Sequence, residues 1–354
     1  MKRFTWVIFS VLIIVISSIL PLSFTKAAQA DAGKSPLEEL INGADSVVVG
    51  TAVERSSYWN DEHTRIYTSV VLSVEERLKG MASQDKIIVT LLGGEVDEIG
   101  EWVSDMPSFD KDERIVVFLK KLSKAQLPKA KDSKLQLTEE QFEVYGGFRG
   151  KFTITRDKVG DLPLAKFKER VNQVLKGQVL SDEELDIPLS VATSPYSYSG
   201  LSWPHPPAPL VDYRINENCA DCTGEGAAVQ AAAATWNAAG ASFSFSYAGT
   251  TTATTYSQNF VNEILWRNLG SGPTIAVTHI WYYPSNNNIV ECDMEFNDYY
   301  TFSTAVIPPS GQYDVQTIAL HEFGHYLMLN DLYDPADSAK VMYGYGSPGT
   351  TKRA

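Results

Sequence analysis

At 354 residues, 44% of them hydrophobic, the chain is long enough for two domains, each with its own core. The formal charge is −13, and without Lys2, Arg3 and Lys26 it becomes −16. That balance argues against nucleic acid or an anionic lipid surface as a partner and suits a soluble exported protein.

Residues 1–30 open with Lys2 and Arg3, continue in an apolar run from Phe4 to Leu22 and close on Ala28-Gln29-Ala30. A charged start, an apolar stretch and a small-residue cleavage site read as a secretory signal peptide, which places the mature chain outside the cell with no membrane association once it is cut. The alternative is a retained anchor, because the run is almost long enough to span a bilayer.

Residues 31–178 read as a mainly β, OB-like domain. Ala44–Val53, Arg65–Glu75, Lys86–Leu92 and Arg114–Leu119 are rich in β-branched residues, with turns at Asn60-Asp61, Lys79-Gly80 and Gly93-Gly94. Phe142–Thr155 reads as a hairpin, and Leu164, Phe167, Val171, Val174 and Leu175 space a closing helix. No catalytic constellation stands in this half, and His63 reads as a solvated residue. Accessory domain and pro-domain both remain open as its role. Residues 179–209 turn acidic and then Ser-, Tyr- and Pro-rich, which marks a linker in which His205 is structural or exposed.

Residues 210–354 form the second domain. Val211–Asn216 predicts a strand, Gly226–Ala239 an Ala-rich helix, and Ala241–Tyr247, Asn262–Asn268, Thr274–Tyr283 and Ile289–Asn297 further strands. Asp314 then stands as N-cap before a helix whose apolar stripe includes Val315, Ile318, Phe323 and Leu327. On it lies His321-Glu322-Phe323-Gly324-His325. Residues four apart on a helix lie about 40° apart around its axis, so both imidazoles leave one face and can grip one metal ion, with Glu322 beside them as a base for water.

A catalytic zinc needs a third protein ligand and an open position. No Glu follows Glu322 and no His follows His325, which leaves Asp331, Asp334 and Asp337. To bring Asp331 back, the helix must end in a sharp turn, and Asn330 tolerates the left-handed conformation that such a turn needs.

The series His321-Glu322-x-x-His325-x-x-Met328-x-x-Asp331, followed by Met342-Tyr343, resembles the metzincin pattern with its Met-turn, closest to the matrixin branch. Two positions depart from it: Met328 stands where the family has the turn glycine, and Asp331 where most members have a third His. The resemblance implies an α+β fold: a metzincin-like catalytic domain, with a twisted mixed sheet and an active-site helix, behind the mainly β domain. It implies a secreted, monomeric zinc endopeptidase with one catalytic Zn2+ on His321, His325 and Asp331. Glu322 would be general base to a zinc-activated water, and Met342 the floor of the site. The runner-up site is aspzincin-like, with Asp334 as third ligand.

Further implications concern the surroundings. In matrixin-like folds the strand matching Ile275–Tyr282 is the sheet edge on which an extended peptide pairs antiparallel, so the expected substrate is a flexible stretch of protein. Tyr343 and Tyr345 are candidate oxyanion donors, and His279 a candidate substrate contact or second metal ligand. Ca2+ is a possible further ion at Asp293, Glu295 and Asp298. The matrixin thiol switch is absent, since no Cys precedes Cys219. Cys292 is expected to pair with Cys219 or Cys222, or all three to hold a structural zinc with His279. The family's last helix has no counterpart here, because the sequence stops twelve residues after Met342. Met328 and that short end motivate the alternative function, an inactive or truncated relative that binds partners through its N-terminal β-domain.

Overall fold

A computed structural model describes residues 36–80, 84–124, 126–129, 140–181 and 196–353. The signal peptide or anchor of residues 1–30 and much of the linker lie outside the described residues. No helix among those described is long and apolar enough to cross a membrane.

A short helix, α1 (Pro36–Gly43), leads into β1 (Ser46–Trp59) and β2 (Ile66–Lys79), an antiparallel pair turned by Asn60, whose side-chain oxygen accepts Thr64 N and Arg65 N at 2.8 and 2.9 Å. The chain continues through β3 (Lys86–Leu92), β4 (Gly94–Val96), β5 (Ile99–Val103), β6 (Arg114–Lys121), β7 (Gln141–Val144), β8 (Lys151–Thr155), β9 (Lys158–Val159) and β10 (Leu162–Pro163) into α2 (Leu164–Leu175). Strands β1, β2, β3, β7 and β6 follow one another in space, and β6 pairs back on β1 with Ser46 opposite Leu119 and Thr51 opposite Arg114. The result is a closed five-stranded barrel, which leaves no free edge among its own strands. Alternation fills it: Val48, Ile115 and Val117 point into one apolar cluster, while Val47, Val49, Val116 and Phe118 point into another beneath α1 and α2.

The second half runs β11 (Ser197–Tyr198), β12 (Leu210–Ile215), α3 (Glu225–Asn237), β13 (Ser244–Thr250), β14 (Glu263–Arg267), β15 (Ala276–Tyr283), β16 (Asn288–Asn297), β17 (Phe302–Ser303), β18 (Tyr313–Asp314), α4 (Val315–Tyr326) and β19 (Leu329–Asn330). Its sheet has the order β13-β12-β14-β16-β15-β5-β4. One face, with Ile280, Cys292, Met294 and Phe296, packs on Phe323 and Tyr326 of α4 and Val229 of α3. The other face of β16 carries Glu291, Asp293 and Glu295, all buried.

The last two strands of that order come from the first half of the chain. β5 pairs antiparallel with β15, His279 opposite Val103 and Tyr282 opposite Gly100, and β4 pairs with β5. A fourth apolar cluster ties the halves together, with Ile66, Trp59 and Ile99 against Trp281, Leu265 and Tyr256, and the indoles of Trp59 and Trp281 stack at 5.7 Å. Ser35–Ala354 accordingly cluster as one compact unit.

These findings correct the expected fold class. The chain is mainly β, 38% strand against 18% helix, built as a closed five-stranded barrel plus further sheets, and it does not show the matrixin-like α+β layout. The physical reason is backbone pairing. Short segments such as Gly94–Val103 complete a sheet through N–H and C=O groups, which leave little mark on side-chain pattern.

Candidate metal centre and catalytic site

Asp314 caps α4 as the sequence predicts. Its Oδ2 accepts Thr317 N at 3.0 Å, and the guanidinium of Arg353 pairs with the same buried carboxylate at 2.9 Å. The helix delivers His321, Glu322 and His325 to one place, with ligand atoms within 4.8 Å of one another. His321 Nδ1 lies 2.9 Å from Val341 O and His325 Nδ1 lies 2.7 Å from Leu329 O. A carbonyl can only accept, so both Nδ1 atoms carry a proton, and in the neutral ring each Nε2 presents a lone pair.

Those lone pairs face Asp331. Its Oδ1 lies 2.9 Å from His321 Nε2 and its Oδ2 lies 3.7 Å from His325 Nε2, yet Oδ1 receives no hydrogen bond. Two imidazole nitrogens thus converge on one buried carboxylate, 2.9 and 3.7 Å away, a donor arrangement that suits a shared cation. The donor set of two nitrogens and one oxygen is the type that catalytic zinc takes. Asp334 is occupied elsewhere, since its Oδ1 caps a short turn at Ala336 N, 2.9 Å away.

The turn that returns Asp331 differs from the expectation. Met328, not Asn330, adopts the left-handed conformation, with φ 60°, and its N–H donates to His325 O at 2.7 Å. The side chain of Met328 is buried in the core, and that burial offsets the roughly 1 kcal/mol or more that a left-handed non-glycine residue costs. Met342 lies directly under the helix: a Cβ on Gly324 would stand 2.1 Å from its sulfur, so any larger residue there would have to displace the Met342 side chain. The Met342 segment is held to the returning chain by Leu332 N to Met342 O at 2.8 Å and Gly344 N to Leu332 O at 3.0 Å.

Glu322 is buried and accepts a 2.7 Å hydrogen bond at Oε2 from Thr278 Oγ1 on β15. Tyr343 and Tyr345 line a cavity with His321 and Glu322. Tyr343 carries Lys352 Nζ over its ring at 5.1 Å, and Tyr345 packs against Tyr333 at 5.3 Å and under Arg149 at 5.1 Å.

His279, next to Thr278, points to the opposite face, where it stacks on Tyr256 at 3.5 Å between Glu101, 3.4 Å from Nδ1, and Glu295, 3.3 Å from Nε2. It is therefore neither a substrate contact in this cleft nor a ligand shared with the cysteines. Burial works against a charged His279, but the bonds to Glu101 and Glu295 outweigh it and raise its pKa. Burial likewise opposes the charge of Glu295, and His279 with Arg267 overcomes it to hold that carboxyl at about 2.

The cysteine expectation also fails: Cys219 and Cys222 are bonded to each other and Cys292 is a buried free thiol. Two of the three carboxylates considered for calcium are partnered within the chain, whereas Asp298 Oδ1 is buried without a hydrogen-bond partner. Asp293 accepts Glu263 N at 2.8 Å, and Glu295 binds Arg267 through two contacts of 2.6 Å.

One occupant of the site had no signal in the sequence. Asp105, two residues beyond β5 and itself left-handed at φ 61°, places its carboxylate beside Asp331, Glu322 and His321. Tyr333 donates its hydroxyl to Asp105 Oδ1 at 3.0 Å, and Phe148 N donates to Asp105 O at 2.6 Å. Burial first, and then the Asp331 carboxylate in hydrogen-bonding contact with it, push the Asp105 carboxyl well above its ordinary value. Thr278 was within reach of the pattern, since strand alternation turns it away from His279, whereas Asp105 and Tyr333 lie in segments without periodicity. No protein-family model matches the chain, and no curated protein matches it significantly.

Proposed function

We propose that the chain is an exported zinc-dependent endopeptidase that cuts extended segments of proteins. The observation that carries this is the convergence of the His321 and His325 Nε2 lone pairs with the Asp331 carboxylate beside a buried, positioned Glu322. Its sequence pattern through Asp331 and Met342 resembles that of metzincin peptidases. Zinc held by His321, His325 and Asp331 would supply Lewis-acid activation of the scissile carbonyl and of the attacking water. Glu322 takes a proton from that water and returns it to the leaving amine. Thr278 holds Oε2 of Glu322 and leaves Oε1 for the transfer. The cavity beside His321, walled by Ile318, Tyr313 and Tyr345, accepts a side chain of the substrate. The N-terminal pattern of residues 1–30 supports export.

A second reading is an inactive relative that binds a partner, and it is favoured by β5 and Asp105 covering the cleft. The separating experiment is hydrolysis of casein by the parent and by Glu322→Ala, before and after limited proteolysis, with bound zinc counted in each. Cleavage by the parent only, with one zinc in both proteins, supports the peptidase. Equal cleavage by a zinc-loaded Glu322→Ala removes it, and cleavage by neither form before or after proteolysis favours the binding protein.

A further inference from the structure

We propose that the Cys219–Cys222 bond is a redox-active disulfide, open to exchange with an external dithiol, and that its opening loosens the strand pair β17–β18 that leads into the N-cap of α4. The inference concerns residues outside the ligand cluster and does not depend on the peptidase reading.

The setting is that of an exchange site. β12 ends at Ile215, the two cysteines stand at 219 and 222, α3 begins at Glu225, and β13 then lies parallel to β12. A Cys-x-x-Cys pair between a strand and the N-terminus of the following helix has its thiolate favoured by the positive end of the helix dipole. Both cysteines are only half-buried, so a thiolate from solution can reach the sulfurs. As a brace the bond does little, because a cross-link contributes most when it closes a long loop, and this one joins residues three apart within one loop. Accessible disulfides are also the labile ones. The third cysteine takes no part: Cys292 is fully buried, and burial first, then Asp293 and Glu291, push its thiol well above its ordinary value. Reduction therefore has one site. An external dithiol gives two electrons and two protons to the bond, Cys219 and Cys222 become thiols, and the donor closes to its own disulfide.

The loop that the bond closes is a clamp. Asp221 accepts Phe302 N on both carboxylate oxygens, at 3.3 and 3.2 Å, and Thr304 Oγ1 donates to Thr223 O at 2.8 Å, so residues on either side of Cys222 hold the Phe302–Thr304 segment. Within that segment Phe302 pairs with Tyr313 and Ser303 with Asp314, and Asp314 accepts Thr317 N as the cap of α4. At the other end of the loop Cys219 N donates to Glu225 Oε1 at 3.2 Å, which ties it to the first turn of α3. The disulfide fixes the backbone between these anchors and with it the position of Asp221, whose Oδ1 lies 3.4 Å from Cys219 Sγ. Once the bond opens, holding Asp221 against Phe302 costs loop entropy that the cross-link had already removed, and β17 loosens on β18.

The test places the full chain in mixtures of reduced and oxidised dithiothreitol of increasing ratio. Alkylation with peptide mapping counts the open thiols, circular dichroism follows the fold, and hydrogen exchange reads residues 299–326. Cys219 and Cys222 are expected to become alkylated together while the fold persists and Cys292 stays unlabelled. The Phe302 and Tyr313 amides then exchange faster by about tenfold or more, since local opening sets their protection, and the interior of α3 does not change. Cys219→Ser with Cys222→Ser shows the same fast exchange without reductant, and if that variant does not fold the titration of the parent decides alone. Asp221→Asn keeps the disulfide, weakens only the clamp and speeds exchange at Phe302 by less. Labelling of Cys219 and Cys222 only at ratios that also unfold the chain and expose Cys292 makes the bond a structural one and overturns the inference. Opening that leaves exchange at Phe302 and Tyr313 unchanged overturns it equally. No arm reads hydrolysis, so the result stands apart from the fate of the peptidase reading.

Discussion

Thr278 Oγ1 donates to Glu322 Oε2 across 2.7 Å, which ties β15 to the second residue of the HExxH helix. The bond fixes one carboxylate oxygen and with it the plane of the group. Thr278→Val keeps the shape and removes the donor. The expected outcome is a kcat about tenfold lower, a fraction of the 10²–10⁴ that a general base contributes, with KM and bound zinc unchanged. Zinc lost together with kcat would show that Thr278 supports the fold and not the base.

Asp331, between the two imidazoles, is the predicted third ligand, and Asp334 is a turn cap. Asp331→Ala is expected to weaken zinc binding by more than about 100-fold, beyond the loss from a missing supporting bond, while Asp334→Ala retains the metal. Competition against a chelating dye measures both. Retention by Asp331→Ala would assign the ligand elsewhere.

Met328 combines a left-handed backbone with a buried side chain, and the two contributions have opposite signs. Met328→Ala loses the packing and keeps the strain, at a cost of about 2–5 kcal/mol. Met328→Gly loses the packing and regains about 1 kcal/mol from the backbone, so urea denaturation should rank parent above Gly and Gly above Ala. A glycine variant less stable than the alanine one would contradict this account.

Stability is predicted to fall from acid toward mildly alkaline pH through two groups on the buried polar face. Burial of Glu291, opposed by the Phe260 and Asn259 N–H groups and reinforced by Glu263, raises its carboxyl to about 8 from 4.5. Between those values the folded state binds a proton that the unfolded chain has released, so unfolding becomes easier as pH rises. His279 has the same sign: its raised pKa gives a contribution complete below the ordinary 6.5 and lost as pH rises through the folded value. Urea midpoints from pH 5 to 9 should decline for the parent and decline less for Glu291→Gln. A parent midpoint that rises over this range would refute the assignment.

Much of the site could be read from the sequence because its logic is local. The spacing of His321 and His325, the cap at Asp314 and the elimination of later Glu and His residues all act within a few turns of chain. The barrel strands were legible for a similar reason, since alternation such as Val47 and Val49 against Val48 and Val117 follows from a strand buried on both faces. The failures are long-range. Nothing in Gly94–Val103 signals a partner some 180 residues later, because the ladder is made of backbone groups. Met328 misleads because burial of its side chain compensates a conformation that its residue type disfavours. The Cys219–Cys222 bond was missed because position in the chain does not reveal which of three thiols is buried apart.

The pairing of Val103 with His279 makes the arm from Gly94 to Asp105 a measuring length. Side chains on a strand change face at each step, so one residue added or removed would exchange the positions of Glu101 and Trp102 and bring a neighbour of Asp105 to His321. What the arm encodes is a count. Substitutions that keep the number of residues in the arm leave the count intact, whereas a single insertion resets the end of the ruler.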